Sequence, residues 1–226
     1  MLYVDLDGTL VDCKRRHYAT YVELLSQADL RGVPIPEAEY WGLRTEGKPV
    51  KDILKKSRLF PTKFDKFVER FNERVETPEM LAMDDVREGV TTALGKLYTK
   101  TPICLVTLRK NHENLEQQLE TLELSKYFAA VLSGAPPKLR RPDKDIRWKT
   151  KADHIRKRYR ILPTQVVYIG DTETDVQAAR ALRFEVWLLE NGHRKKELQI
   201  KANPDRIEAD LSAALKYLLP GGRWQR

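Results

Sequence analysis

Five short apolar runs, each closed by a polar residue, limit most strongly what this chain can fold into. They cover residues 2–7, 103–107, 128–133, 166–171 and 184–190. Between them the spacing is helical: Leu115, Leu119 and Leu122 recur after one run, and Val176, Ala179 and Leu182 after another. Strand-length apolar runs alternating with helices predict an α/β fold, with a parallel sheet covered on both faces. Ligands of such sheets gather at the carboxyl ends of the strands. Those ends hold Asp5, Asp7, Thr107, Ser133 and Asp171.

One stretch breaks the alternation. From Val11 to about Val86 no apolar strand is visible, only helical patterns. Tyr18, Val22 and Leu25 line one helix face, Phe64, Phe67, Val68, Phe71 and Val75 line another, and Pro34 and Pro36 punctuate the connection. The expected organisation is a core over residues 1–12 and 87–226, with a helical insertion over residues 13–86. An insertion at the ligand end of a sheet is placed to act as a lid. A chain of 226 residues is long enough for this and for a proper core. No apolar run approaches the roughly 20 residues of a membrane helix, and the first run meets Asp5 and Asp7 too soon for a secretory signal. Two cysteines, Cys13 and Cys104, build no disulfide framework, so a reducing, cytoplasmic setting is expected.

Asp5-Leu6-Asp7-Gly8-Thr9-Leu10 follows the first run directly. Gly8 permits a turn through which both carboxylates can converge on a ligand. Paired carboxylates repel, and a hard cation such as Mg²⁺ relieves that. Asp-x-Asp-Gly also occurs in plain turns and calcium loops, so alone it leaves both readings open. Three motifs in order decide more. Asp5 to Leu10, Thr107 in Leu105-Val106-Thr107-Leu108-Arg109, and Gly170-Asp171 with Asp175 four residues on resemble the haloacid dehalogenase-like hydrolase superfamily, nearest its phosphoglycolate-phosphatase-like members. The resemblance covers residues 1–12 and about 87–226. It implies a Rossmann-like, three-layered parallel-sheet core with an inserted α-helical cap, and a Mg²⁺-dependent phosphatase acting on a small phosphorylated metabolite.

The resemblance also implies roles. Asp5 is the expected nucleophile, forming an aspartyl-phosphate, and Asp7 the expected acid and base. An Asp at position 7 fits the phosphatases of the superfamily rather than its carbon–halogen hydrolases. Thr107, with Leu108 and Arg109 beside it, is expected to bind the phosphoryl group. Asp5, Asp171 and the Asp7 backbone carbonyl are expected to hold Mg²⁺. Asp175 is expected to support the metal through water or to orient a lysine. That lysine, which offsets the charge of nucleophile and phosphate, is Lys151 or Lys149, with Lys151 preferred. In the insertion, Arg44 and Lys48 are candidates for a substrate's second anionic group.

A net charge of +8 favours acidic ligands without naming them. The densest basic stretch, residues 138–160, reads as a solvated face or as an electrostatic funnel. Trp148 and Tyr159 alone make a thin stacking platform for nucleic acid. A phosphomutase, a nucleic-acid-binding protein and a phosphatase of nucleic-acid ends remain alternatives. No membrane partner is expected, and the chain is read as a monomer or homodimer. None of the four histidines has metal-ligand spacing with another, which disfavours zinc. His193, in the 190–194 segment, is read as a marker of the fold.

Overall fold

In β1 (Leu2–Val4) the side chains of Leu2 and Val4 enter one hydrophobic cluster and Tyr3 enters another. Successive residues of a strand point to opposite faces, so this sheet has a core on each side. The computed structural model describes residues 1–137, 145–159 and 165–219. After β1 come β2 (Val11–Asp12), α1 (Lys14–Leu25), α2 (Glu37–Thr45), α3 (Val50–Lys56), α4 (Phe64–Arg74), α5 (Pro78–Leu81) and β3 (Asp85–Val86). The chain continues through α6 (Val90–Leu97), β4 (Ile103–Thr107), α7 (His112–Thr121), β5 (Ala130–Ser133), α8 (Ile146–Arg158) and β6 (Val167–Gly170). It ends with α9 (Glu173–Leu182), β7 (Glu185–Leu189), α10 (Lys196–Ala202), β8 (Arg206–Glu208) and α11 (Leu211–Leu218).

Six strands form one parallel sheet in the order β5-β4-β1-β6-β7-β8. Val4 pairs in register with Leu105 on one side and Ile169 on the other, so β1 is central. The chain builds outward from β1 to β5, then returns to add β6 on the opposite side. That reversal places the residues following β1, β4 and β6 at one crevice, where sheets of this kind bind ligands. Ile103, Leu105, Val167, Ile169, Trp187 and Leu189 share the face of Leu2 and Val4 with residues of α6, α7 and α11. Cys104, Val106, Tyr168, Val186 and Leu188 share the face of Tyr3 with residues of α8 and α9. Helices on both faces leave these strands no wet side, hence the unbroken apolar runs. Each fully buried aliphatic side chain contributes about 1.5–3 kcal/mol.

Two compact units divide the chain: Met1–Val11 with Val86–Arg226, and Asp12–Asp85. The second is helical and has its own apolar cluster, built from Tyr21, Leu24 and Leu25 of α1, Tyr40 and Trp41 of α2, Ile53 and Leu54 of α3, and Phe64 and Phe67 of α4. Tyr18, Val22 and Phe71 pack partly buried against it, whereas Val68, expected on the same face, is 37% exposed. Arg16 and Asp84 form a buried ion pair at 2.9 Å, and Arg16 also donates to the Val75 carbonyl. This tie holds the first helix of the unit to the segment before β3. Among the described residues, no helix is long and apolar enough to cross a membrane.

Candidate active site

β1 ends at Val4, but the N–H of Asp5 still donates to the Ile169 carbonyl at 2.9 Å, which sets Asp5 at the carboxyl edge of the sheet. The chain then turns sharply, because the Leu6 carbonyl accepts from the N–H groups of both Leu10 and Val11. Gly8 takes φ of +86° in this turn, and a Cβ there would overlap the Asp171 carboxylate. Only glycine meets both demands.

Asp171 follows β6 directly and is fully buried. One helical turn on, Asp175 Oδ2 accepts from the Thr172 N–H at 3.1 Å, the Thr172 hydroxyl at 2.9 Å and the Asp171 N–H at 3.3 Å, capping α9. Asp175 Oδ1 accepts from Lys151 Nζ at 2.6 Å, and the same ammonium lies 2.7 Å from Asp5 Oδ1. Lys149 sits over the Trp148 ring, 5.6 Å from its centroid. Of the two candidate lysines, Lys151 is the one that reaches the acids. Asp175 spends both oxygens on these bonds, so it anchors the lysine.

Asp5, Asp171 and Asp175 each bring an oxygen within 4.8 Å of the others. Around one ammonium, three ionised carboxylates leave a formal charge of −2. Burial pushes the Asp5 carboxyl up to about 7, with the charges of Asp175 and Asp7 adding to the effect and Lys151 opposing it. Burial, then Asp175 and Asp5, hold Asp171 well above the usual carboxylate range. Burial acts on Asp175 too, but the Lys151 charge and the Lys151 and Thr172 hydrogen bonds outweigh it and keep Asp175 below its ordinary value. For Lys151, burial favours the neutral amine, yet Asp175 and Asp5 prevail and the ammonium is retained.

Does this set fit a divalent cation? Asp171 Oδ2 is taken by the His193 N–H at 2.6 Å, while Oδ1 is buried with no hydrogen-bond partner. A buried carboxylate oxygen left this way is costly unless a cation meets it. Asp5 and Asp171 supply hard oxygen donors of the kind Mg²⁺ selects. The residues fit.

The Asp7 carboxylate is held by Arg109, whose Nε and Nη2 each donate to one of its oxygens at 2.6 Å. Thr107 ends β4 buried, and its hydroxyl oxygen accepts from the Arg109 N–H at 3.4 Å. Leu108 between them is half-buried, and its side chain offers a substrate no hydrogen bond. Arg44 and Lys48 belong to the helical unit, Arg44 half-buried in the last turn of α2 and Lys48 exposed just beyond it. Of the basic stretch, Lys138, Arg140, Arg141, Lys144 and Arg160 lie outside the described residues. Tyr159 turns inward, edge-on to Tyr3 at 6.2 Å with its hydroxyl 3.2 Å from Cys104 Sγ, so it is no stacking platform.

Residues 3–188 match the family model for haloacid dehalogenase-like hydrolases. The chain belongs to this family. Among its relatives, a phosphoglycolate phosphatase of Synechococcus elongatus is 27% identical over 95% of this chain and 96% of its own length. A phosphorylated carbohydrates phosphatase of Thermotoga maritima is 26% identical over 80% of each chain. A haloacid dehalogenase-like hydrolase from Streptococcus pneumoniae superimposes with a TM-score of 0.76, covering 96% of this chain and 97% of that one. At 19% identity it establishes the shared fold alone.

Within this family member, two features of the site escaped sequence reasoning. The Asp7–Arg109 pair joins residues 102 positions apart, and no local pattern announces it. Gln199, buried in α10, donates to the main-chain carbonyls of Asp171 at 3.1 Å and Leu189 at 2.8 Å. Its only signal is a polar residue among apolar neighbours. Thr172-x-x-Asp175, by contrast, is a helix-capping pattern readable from the sequence.

Proposed function

We propose that the chain is a Mg²⁺-dependent phosphatase that hydrolyses a small phosphomonoester through a phosphorylated Asp5. The observation carrying this reading is the buried Asp5 carboxylate, held by Lys151 and standing beside Asp171, one of whose oxygens no protein group satisfies. Asp5 and Asp171, with the Asp7 carbonyl, would hold the ion. When bound, Mg²⁺ supplies the charge that lets a phosphoryl dianion approach an ionised Asp5.

An Asp5 oxygen attacks phosphorus, a new O–P bond forms, and the bond from phosphorus to the leaving oxygen breaks. Lys151 offsets charge growing on Asp5 and the transferring group. Asp7 gives a proton to the departing alkoxide, then takes one from the water that splits the phosphorylated Asp5. At rest Arg109 grips both Asp7 oxygens. Its fork must therefore transfer to the phosphoryl oxygens, which offer it equivalent geometry, before Asp7 can carry a proton. Thr107 donates its hydroxyl to the same group.

Mg²⁺-dependent phosphate release from a panel of phosphomonoesters, including 2-phosphoglycolate and sugar phosphates, tests this. Release is expected from at least one member, lost in EDTA and restored by Mg²⁺. No release from any of them would end the reading.

The proposal extends to the helical unit as a cap, with Arg44 and Lys48 binding the substrate's second anionic group. Arg44→Ala and Lys48→Ala are each expected to raise KM for the best substrate about tenfold, as loss of a charged hydrogen bond does. Unchanged kcat/KM across the panel removes these two residues from the proposal.

A further inference from the structure

Asp171 is held at more than one point. Its main-chain carbonyl accepts from Gln199 Nε2 at 3.1 Å, and its Oδ2 accepts from the His193 N–H at 2.6 Å. The second proton of Gln199 Nε2 goes to the carbonyl of Leu189, the last residue of β7, at 2.8 Å. One buried amide thus ties the segment leaving β6 to the segment leaving β7, the one that carries His193. Gly192 lets the two segments meet, because a Cβ there would overlap Asp171. Arg194 fastens the same loop from outside, with Nε and Nη2 on the two oxygens of Glu173 at 2.8 and 2.9 Å. With the carbonyl and Oδ2 both pinned, the Asp171 side chain has little freedom left, and Oδ1 is the oxygen left without a partner. Gln199 Oε1 is itself buried without a hydrogen-bond partner, so the amide is kept there for what its nitrogen does.

We infer that Gln199 is a positioning residue for the cation site: by joining the Asp171 and Leu189 carbonyls it fixes which Asp171 oxygen is offered to the metal. The inference rests on the proposed Mg²⁺ site. It gives residue 199 a task that its place in the sequence does not suggest. A group that acts on a ligand from behind typically changes metal affinity 10–100-fold.

The test uses the full chain with Gln199→Met, which keeps length and packing but donates nothing, and Gln199→Asn, which is polar but one methylene too short to span both carbonyls. Mg²⁺ binding is measured by titration calorimetry and Mn²⁺ binding by electron paramagnetic resonance, neither of which depends on turnover. Both variants are expected to bind about tenfold more weakly. At saturating Mg²⁺ their kcat returns to within about twofold of the wild type, because the nucleophile and Lys151 are untouched. A lower melting temperature with unchanged metal affinity would reduce Gln199 to a structural role and overturn the inference. So would a kcat that stays depressed at saturating metal. If Gln199→Met does not fold, Gln199→Asn decides alone. Should the wild type bind neither ion, the Mg²⁺ reading falls and takes this inference with it. A wild type that binds beside variants that bind equally well overturns only the role of Gln199.

Discussion

In Asp5→Asn, phosphate release is lost by at least about 10⁴-fold at saturating Mg²⁺, the scale expected when a nucleophile is removed. The variant nevertheless folds, and in EDTA at about pH 8 it melts at a higher temperature than the wild type. An amide cannot form the covalent phosphoryl intermediate, but it has the shape of the carboxyl and its oxygen still accepts from Lys151. The stability sign follows from the pKa. The folded state holds Asp5 at about 7 against an ordinary value of 3.8, so folding favours the protonated form. The penalty of ionising Asp5 in its buried site is absent below about pH 4, builds through the interval to about pH 7 and is complete above it. The advantage of Asn therefore shows at about pH 8 and fades by about pH 4. Phosphate assays with melting curves at both ends of that window check both claims. Turnover above about 1% of wild type would exclude Asp5 as nucleophile, and a lower melting temperature at high pH would mean that its charge stabilises the fold.

Much of the core was legible in the sequence because strands buried on both faces have no use for a polar residue until they reach the edge of the sheet. Residues 103–107 coincide with β4 for that reason. The first run was too long: β1 stops at Val4, since the Leu6 carbonyl gathers the next segment into a turn. β8 left no apolar run because Arg206 and Glu208 flank Ile207 in this short edge strand and pair with each other at 3.4 Å. In the site, Asp5, Asp171 and Asp175 could be found because a strand end or one helical turn places them. The choice between Lys149 and Lys151 could not be settled by counting from the helix start, since two residues differ by about 200° around a helix. Gln199 and the Arg109–Asp7 pair depend on which distant segments meet, and only packing decides that.

Lys151→Met is expected to lower kcat/KM about 10³-fold and to destabilise the chain by about 3–5 kcal/mol in EDTA at about pH 8. For a protein of this length that is a fall of roughly 10 °C. The methionine fills the space, so the loss is electrostatic. Lys151 is the cation 2.6 Å from Asp175 and 2.7 Å from Asp5, with Asp171 beside them. Its charge is also a leading influence lowering the carboxyl pKa values of Asp5 and Asp175. Without it Asp5 rises further above its unfolded value and Asp175 loses what holds it below its own, so the folded state binds more protons than the unfolded one. Stability then falls as pH increases through the raised values and recovers as pH drops. The gap to the wild type should narrow toward about pH 5, and Mg²⁺ at about pH 8 should restore part of the loss by supplying positive charge to the same oxygens. Lys149→Met, which removes a charge from the Trp148 face, is expected to stay near wild type in both measurements. Equal losses in the two variants, or a Lys151→Met deficit that grows on acidification, would show that the buried ammonium does not neutralise these acids. The charge balance on which the proposed chemistry at Asp5 depends would then have to come from another residue.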